Sequence, residues 1–169
     1  MRIAHLYPDL LNLYGDRGNI MCLQYRCRQR GIQVTVDEIS VGDPFDHTKY
    51  DLLFIGGGQD FEQEVLLEDL HRGKDEEIRR AVAAGTVGLA ICGGYQMLGK
   101  YYQTYTGERL DYIGAVDFYT VGEKERLIGN YAFDTEFGRV IGTNLLSYTI
   151  EVNPDGSKLS QNGSDLELY

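Results

Sequence analysis

The amino-acid sequence predicts an α/β protein built around a doubly wound parallel sheet, and three patterns lead to this prediction. Short apolar runs that suit strands alternate with segments of helical periodicity along the first half of the chain. Glycine-rich or polar segments separate these units, as connections at the edges of a sheet do. One apolar run leads directly into a cysteine, two glycines and a helical pattern. Repeated alternation of strand and helix is typical of parallel sheets.

The composition is that of an ordinary globular domain. The chain has 169 residues, of which 43% are hydrophobic and 25% are charged, so it can bury a sizeable core. Its net charge of −10 argues against nucleic acid or an anionic membrane as a partner, because both attract basic surfaces. The three cysteines show no metal-ligand spacing, and no apolar run has membrane-spanning length. We therefore expect a cytoplasmic protein without membrane insertion.

The first β-α unit is predicted near the N-terminus. A strand covers residues 2–7, and Asp16 or Asn19 can cap the helix that follows. The apolar residues of this helix recur at the spacing of one helical face. Cys22 and Cys27 are therefore interpreted as packing residues of this helix and not as metal ligands.

Two further strands are predicted at residues 33–39 and 50–55. The second of them ends in Gly56, Gly57 and Gly58, which let the backbone bend sharply and present N–H groups to a ligand. We favour a role as second donor of an oxyanion hole. A phosphate cradle is a weaker interpretation because no Walker lysine follows, and a tight turn without a ligand is the structural alternative. Two helical stretches with acidic faces come next, at residues 61–70 and 74–84.

The segment from residue 86 to residue 99 contains the strongest chemical signal. Residues 87–91 form an apolar run that predicts a buried strand, and Cys92 ends it. Ala90 and Gly94 are small residues two positions either side of this cysteine, which is the layout of a nucleophile elbow. Such a turn exposes the sulfur, and the following helix N-terminus lowers a thiol pKa. The backbone N–H of Gly93 can then bind an oxyanion.

A cysteine at the end of a strand is more often a small core residue than a nucleophile. The double glycine and the strand-to-helix context favour the catalytic interpretation here.

Residues 90–99 resemble the cobyric-acid-synthase-type branch of the class I glutamine amidotransferases. Two further segments, residues 6–20 and 54–63, resemble more selectively the small amidotransferase subunits of lipid II isoglutaminyl synthases within that family. The resemblance covers about residues 1–142. It implies a flavodoxin-like architecture and hydrolysis of L-glutamine to glutamate and ammonia, with Cys92 as the nucleophile and no metal or organic cofactor.

The resemblance also implies a partner and a substrate-binding residue. Subunits of this kind work with a Mur-ligase-like, ATP-dependent synthetase subunit (MurT-like), which amidates the D-glutamate of lipid II in peptidoglycan synthesis. Residues 124–131 fit the family, and by that match Arg126 holds the α-carboxylate of glutamine through its bidentate guanidinium. Several tyrosines of the expected rim suit an interface with such a partner, namely Tyr95, Tyr101, Tyr102 and Tyr105.

Beyond Gly142 the sequence departs from the family, which continues with a Phe-Glu-Asn-His segment and a longer second half that supplies the catalytic histidine. We expect an amidotransferase-like domain over residues 1–142 and a divergent tail of the same domain over residues 143–169. Within the tail, a strand is predicted at 145–152 and a type I turn at 153–156.

All three histidines, His5, His47 and His71, precede Cys92, whereas the family places its histidine after the cysteine. Loss of the base from a cysteine–histidine pair costs orders of magnitude in rate. We therefore expect either a truncated or altered C-terminal end, or an upstream base, for which His5 near the end of the first strand is the candidate. Two alternative functions stay open: a cobyrinate or cobyric acid amidotransferase domain, and a non-catalytic binding subunit.

Overall fold

The computed structural model describes residues 1–12, 15–58, 66–135, 138–152 and 167–168. Four parallel strands form one sheet: β1 (Arg2–Leu6), β2 (Thr35–Ile39), β3 (Leu52–Ile55) and β4 (Val87–Ala90). Their order is β2-β1-β3-β4, so the first strand lies between its two successors. The predicted α/β architecture with neighbouring parallel strands is thereby confirmed. In such an order the ligand crevice lies at the carboxyl ends of the strands.

Helices cover both faces of this sheet. They are α1 (Arg17–Arg28), α2 (Asp75–Ala83) and α3 (Gly93–Leu98). On one face Ile20 of α1 packs in a cluster with Phe54 of β3. On the other face Ile55 of β3 belongs to a cluster with Ile78 of α2 and Met97 of α3. Because successive residues of a strand point to opposite faces, adjacent residues of β3 enter different halves of the core.

The chain reverses direction directly after β1. Tyr7 is 1% exposed and has φ of 54°, a left-handed conformation that is unusual for an aromatic residue. Its carbonyl oxygen accepts hydrogen bonds from the N–H groups of Leu10, at 3.1 Å, and of Leu11, at 2.8 Å. The chain after β1 therefore folds back over the carboxyl end of the sheet.

A buried polar network joins this reversal to the helical segment before α2. Lys74 Nζ donates to Oδ2 of Asp69 at 2.5 Å and to the carbonyl oxygen of Ser40 at 2.6 Å. The Tyr7 hydroxyl donates to Oδ2 of Asp69 and the Gly42 N–H donates to Oδ1, both at 2.8 Å. Although burial disfavours the charged form, these hydrogen bonds hold the pKa of the Asp69 carboxyl below its usual range. The network fixes the loops at this edge of the sheet, because each buried charge has partners within it.

The second half of the described chain forms a separate sheet. It contains β5 (Tyr101–Gln103), β6 (Arg109–Asp111), β7 (Tyr119–Thr135), β8 (Gly138–Val152) and β9 (Glu167–Leu168). β5 pairs parallel to β7, and β7 pairs antiparallel to β8. The strand predicted at 145–152 lies inside β8, and sequence patterns did not predict the other four strands.

Two expectations about burial are wrong. The strand before Cys92 was expected to be buried, but β4 pairs only with β3 among the described strands and Val87 is 61% exposed. Cys22 was expected to pack, but it is exposed. It lies away from the helix face that carries Ile20, because each residue advances the helix by about 100°.

Some predictions fall outside the described residues. These are the turn at 153–156 and the start of the helical stretch at 61–70, up to residue 65. Among the residues that the structure does describe, no helix combines the length and the apolar character that crossing a lipid bilayer requires.

Candidate active site

Cys92 occupies the turn between β4 and α3. Its φ of 50° and ψ of −116° are rare for a residue other than glycine, and such strain costs about 1–3 kcal/mol. The side chain is exposed, and the helix begins at the next residue, Gly93. An exposed side chain on a strained turn between a strand and a helix is the geometry of a nucleophile elbow.

Close backbone packing explains why glycine follows this turn. A Cβ atom on Gly94 would lie 2.5 Å from the carbonyl oxygen of Gly56 and 2.7 Å from Cγ2 of Ile55. A Cβ atom on Gly56 would lie 1.9 Å from the carbonyl oxygen of Leu11. No side chain fits at either position unless the backbone moves. The chain segments that follow β1, β3 and β4 are therefore packed directly on one another.

The Gly57–Gly58 segment leaves the sheet beside the cysteine. Ile55 of β3 is paired in register with Ala90 of β4. Continuing this parallel register by two residues brings Gly57 next to Cys92. Gly93 is the first residue of α3, so its N–H has no acceptor within the helix, and the rest of the described chain offers it no backbone acceptor. Backbone N–H groups in such positions can donate to an oxyanion.

Asp16 also lies at this edge of the sheet, although sequence analysis gave it only a helix-capping role. It is the N-cap residue of α1, but its side chain makes no capping hydrogen bond. Oδ1 of Asn12 accepts from the N–H of Arg17 at 3.0 Å instead. Asp16 is 2% exposed, its Oδ2 has no hydrogen-bond partner, and its Cβ lies 3.1 Å from the Cβ position of Gly56. The signal in the sequence is the additional capping residue, Asn12, which leaves Asp16 available for another role.

Comparison with known proteins shows the family of this chain. The model of the CobB/CobQ-like glutamine amidotransferase domain matches residues 2–154, which is most of the chain. The chain belongs to the CobB/CobQ-like glutamine amidotransferase domain family. The resemblance seen in the three sequence segments is thereby confirmed.

Curated relatives of this amidotransferase domain fall into two groups. The GatD subunit of lipid II isoglutaminyl synthase (glutamine-hydrolyzing) from Streptococcus pneumoniae (strain ATCC BAA-255 / R6) is 44% identical over 137 residues, which cover 80% of this chain and 52% of that protein. GatD from Staphylococcus aureus (strain N315) is 41% identical over 143 residues, covering 84% of this chain and 58% of that protein. A probable cobyric acid synthase from Methanopyrus kandleri is 52% identical over 46 residues, covering 27% of this chain and 9% of that protein. The chain thus spans about half the length of the GatD relatives that it matches.

Arg126, the expected carboxylate-binding residue of the amidotransferase domain, belongs to β7. The pairing of β7 with β8 is irregular here, because the register shifts between Gly122 and Leu127 and again between Leu127 and Gly129. The side chain of Arg126 lies outside the part of the chain whose side chains are described. Its role as the carboxylate clamp therefore stays a prediction.

His5, the candidate upstream base, faces α1. It is 1% exposed, and its ring meets the ring of Phe54 edge-on with 5.0 Å between centroids. Burial lowers the pKa of its imidazole, and Nε2 has no hydrogen-bond partner. His5 is in register with Phe54, which is in register with Leu89, so β3 separates it from β4. Two strand spacings amount to roughly 10 Å, which does not suit direct proton transfer with Cys92.

The other two histidines of the domain have carboxylate neighbours. His47 Nδ1 lies 2.8 Å from Oε2 of Glu77 and is part-buried. His71 Nδ1 lies 3.3 Å from Oδ2 of Asp75 and is more exposed. His47 precedes β3, at the amino end of the sheet, whereas Cys92 follows β4 at the carboxyl end. These contacts support structural roles for both residues.

The contact between Gly94 and Gly56 predicts the effect of adding a single methyl group. Gly94→Ala is expected to lower the free energy of unfolding by about 2 kcal/mol or more, because the new Cβ meets backbone atoms. Gly88→Ala is the matched control, because a Cβ there has no atom within 4 Å although Gly88 is in the adjoining strand. It should change the free energy by less than about 0.5 kcal/mol. Equal effects of the two variants in urea denaturation would contradict the packing argument.

Proposed function

We propose that this chain is the glutamine-hydrolysing subunit of an amidotransferase that acts on the D-glutamate of lipid II, with Cys92 as the nucleophile. The observation that carries the proposal is the strained and exposed position of Cys92 at the β4–α3 turn. Membership of the amidotransferase family and the two GatD relatives support the reaction class.

The proposed reaction forms and breaks one covalent intermediate. The sulfur of Cys92 attacks the side-chain amide carbon of glutamine, and the oxyanion accepts hydrogen bonds from the backbone of Gly93 and of Gly57–Gly58. The carbon–nitrogen bond then breaks, and the nitrogen takes up a proton and leaves as ammonia. Water attacks the thioester, which releases glutamate and restores the thiol. Arg126 holds the α-carboxylate throughout, in the role that its family match implies.

Both steps need a group that moves protons. Thiol deprotonation and attack by water each require a general base. No histidine follows Cys92 in the 169 residues. We therefore expect the chain by itself to bind glutamine-like electrophiles but to release little ammonia.

Covalent labelling tests the nucleophile separately from turnover. A diazo-ketone analogue of L-glutamine needs no added base, since the thiol proton moves to the diazo carbon and the sulfur then displaces dinitrogen. Cys92 should be labelled first, and Cys22 is a built-in control because it is also exposed. Arg126→Ala should slow labelling of Cys92 by about 10-fold or more, because it removes a charge-assisted contact. Mass spectrometry of the peptides gives the site and the rate.

Two outcomes of this experiment would change the proposal. Labelling of Cys22 and Cys92 at the same rate would mean that solvent exposure alone determines the labelling rate. The elbow would then not be an active site. Robust ammonia release that disappears in His5→Ala would contradict the argument that β3 keeps His5 too far from Cys92 to act as its base.

We further propose a MurT-like synthetase subunit as the partner, in a cytoplasmic complex. Support comes from the relatives, which are named as subunits, and from exposed tyrosines, of which Tyr95 lies in α3 directly after the elbow. Tyr95 is 36% exposed and Tyr105 is 64% exposed, whereas Tyr102 is only 8% exposed and stacks on Tyr112. Exposed tyrosines are enriched at interfaces. Only part of the tyrosine set is therefore available to a partner.

Co-expression with a Mur-ligase-like protein tests this partnership. The two chains should elute together on size exclusion at micromolar concentration. The double variant Tyr95→Ser, Tyr105→Ser should weaken the complex, whereas Tyr25→Ser should not, although Tyr25 is 63% exposed, because it lies on α1. Separate elution of the unmodified chains would contradict the proposed partner and leave the proposed chemistry of Cys92 unaffected.

A further inference from the structure

Asp16 is a buried carboxylate without a counter-charge in the described fold. It is 2% exposed, and its Oδ2 has no hydrogen-bond partner. None of the ion pairs formed by the described residues includes Asp16. Burial of an unpaired carboxylate is strongly unfavourable, so such a group is expected to meet a cation in the working protein.

Two neighbouring cationic side chains do not supply this charge. Arg17 directs its guanidinium towards Glu38, with 3.4 Å between Nη2 and Oε1. His5 is close enough for the Asp16 charge to affect it, but burial lowers the pKa of its imidazole, and this favours the neutral ring. The backbone N–H of Arg17 is bonded to Asn12. Neither of these side chains therefore neutralises Asp16 in the part of the chain that the structure describes.

The position of Asp16 suggests a ligand as its source. Its Cβ lies 3.1 Å from the Cβ position of Gly56, and the carbonyl oxygen of Gly56 lies 2.5 Å from the Cβ position of Gly94 in the elbow. Asp16 and the Cys92 turn therefore approach the same backbone segment from two sides. In a glutamine whose side-chain amide carbon lies at Cys92, only a short aliphatic chain separates that carbon from the α-ammonium group.

We propose that Asp16 binds the α-ammonium group of the glutamine substrate. This inference rests on the proposed glutaminase function and adds a specificity determinant to the same site. The ammonium completes the hydrogen bonding of Oδ2 and neutralises the buried charge. With Arg126 assigned to the α-carboxylate, the site recognises both charged groups of the amino acid. Side-chain amides that lack a free α-amino group should then be poor substrates, because they leave the carboxylate buried and unpaired.

Paired electrophiles test this assignment directly. The diazo-ketone analogue of L-glutamine is compared with its counterpart that lacks only the α-amino group, and the rate of Cys92 labelling is measured for each. The unmodified chain should prefer the amino compound by about 10- to 100-fold, which is the effect expected for a hydrogen bond to a charged group. In Asp16→Asn the preference should fall to within about 3-fold, mainly through slower labelling by the amino compound.

Asp9→Asn is the matched control. It makes the same chemical change near the same edge of the sheet, but Asp9 is exposed and its Oδ2 accepts from the Ser40 hydroxyl at 2.6 Å. The preference for the amino compound should be retained in this variant.

Three outcomes would overturn the inference. The first is labelling of the unmodified chain at the same rate by both compounds. This result would overturn the inference even if the Asp16→Asn variant fails to fold. Slower labelling of Asp16→Asn by both compounds to the same degree would make Asp16 a structural residue, and the proposed function would stand. Absence of Cys92 labelling by either compound would overturn the proposed function and this inference with it.

Discussion

The site depends on one steric constraint, which is the contact between the backbone after β3 and the backbone after Cys92. The carbonyl oxygen of Gly56 lies 2.5 Å from the Cβ position of Gly94, so the two segments meet without intervening side chains. This contact leaves the chain little room after β4. In this confined turn Cys92 adopts φ of 50°. The energetic cost of the turn is offset by packing elsewhere, as is usual for strained residues at functional sites. Exposure of the cysteine follows from that geometry.

At the same edge of the sheet, one buried carboxylate has its hydrogen-bond partners and another buried carboxylate lacks them. Asp69 and Lys74 are both buried, and Tyr7, Ser40 and Gly42 complete their hydrogen bonds. A network with all its partners in place stabilises one arrangement of the loops. Asp16 is equally buried but has no such partners, and this contrast within one region is why a ligand is inferred for Asp16 and none for Asp69.

The sequence predicted the parallel sheet and the elbow because both depend on local patterns. An apolar run followed by Cys92, Gly93 and Gly94 can be recognised in the sequence without knowing which distant residues lie nearby. Burial depends on neighbours in space, and for this reason Val87 was wrongly expected to be buried. The role proposed for Asp16 could not be predicted either, because it depends on Asn12, and not Asp16, accepting from the N–H of Arg17 at the start of α1. The division of the chain at Gly142 stays a prediction.

The most direct test of the central claim is protection of Cys92 by ligand. Iodoacetamide should alkylate both exposed cysteines, and millimolar L-glutamine should slow alkylation of Cys92 while D-glutamine has no effect. Alkylation of Cys22 should be the same under all conditions, because that residue is on the outer side of α1. If L-glutamine leaves the rate at Cys92 unchanged, the elbow does not form a glutamine site and the account is contradicted.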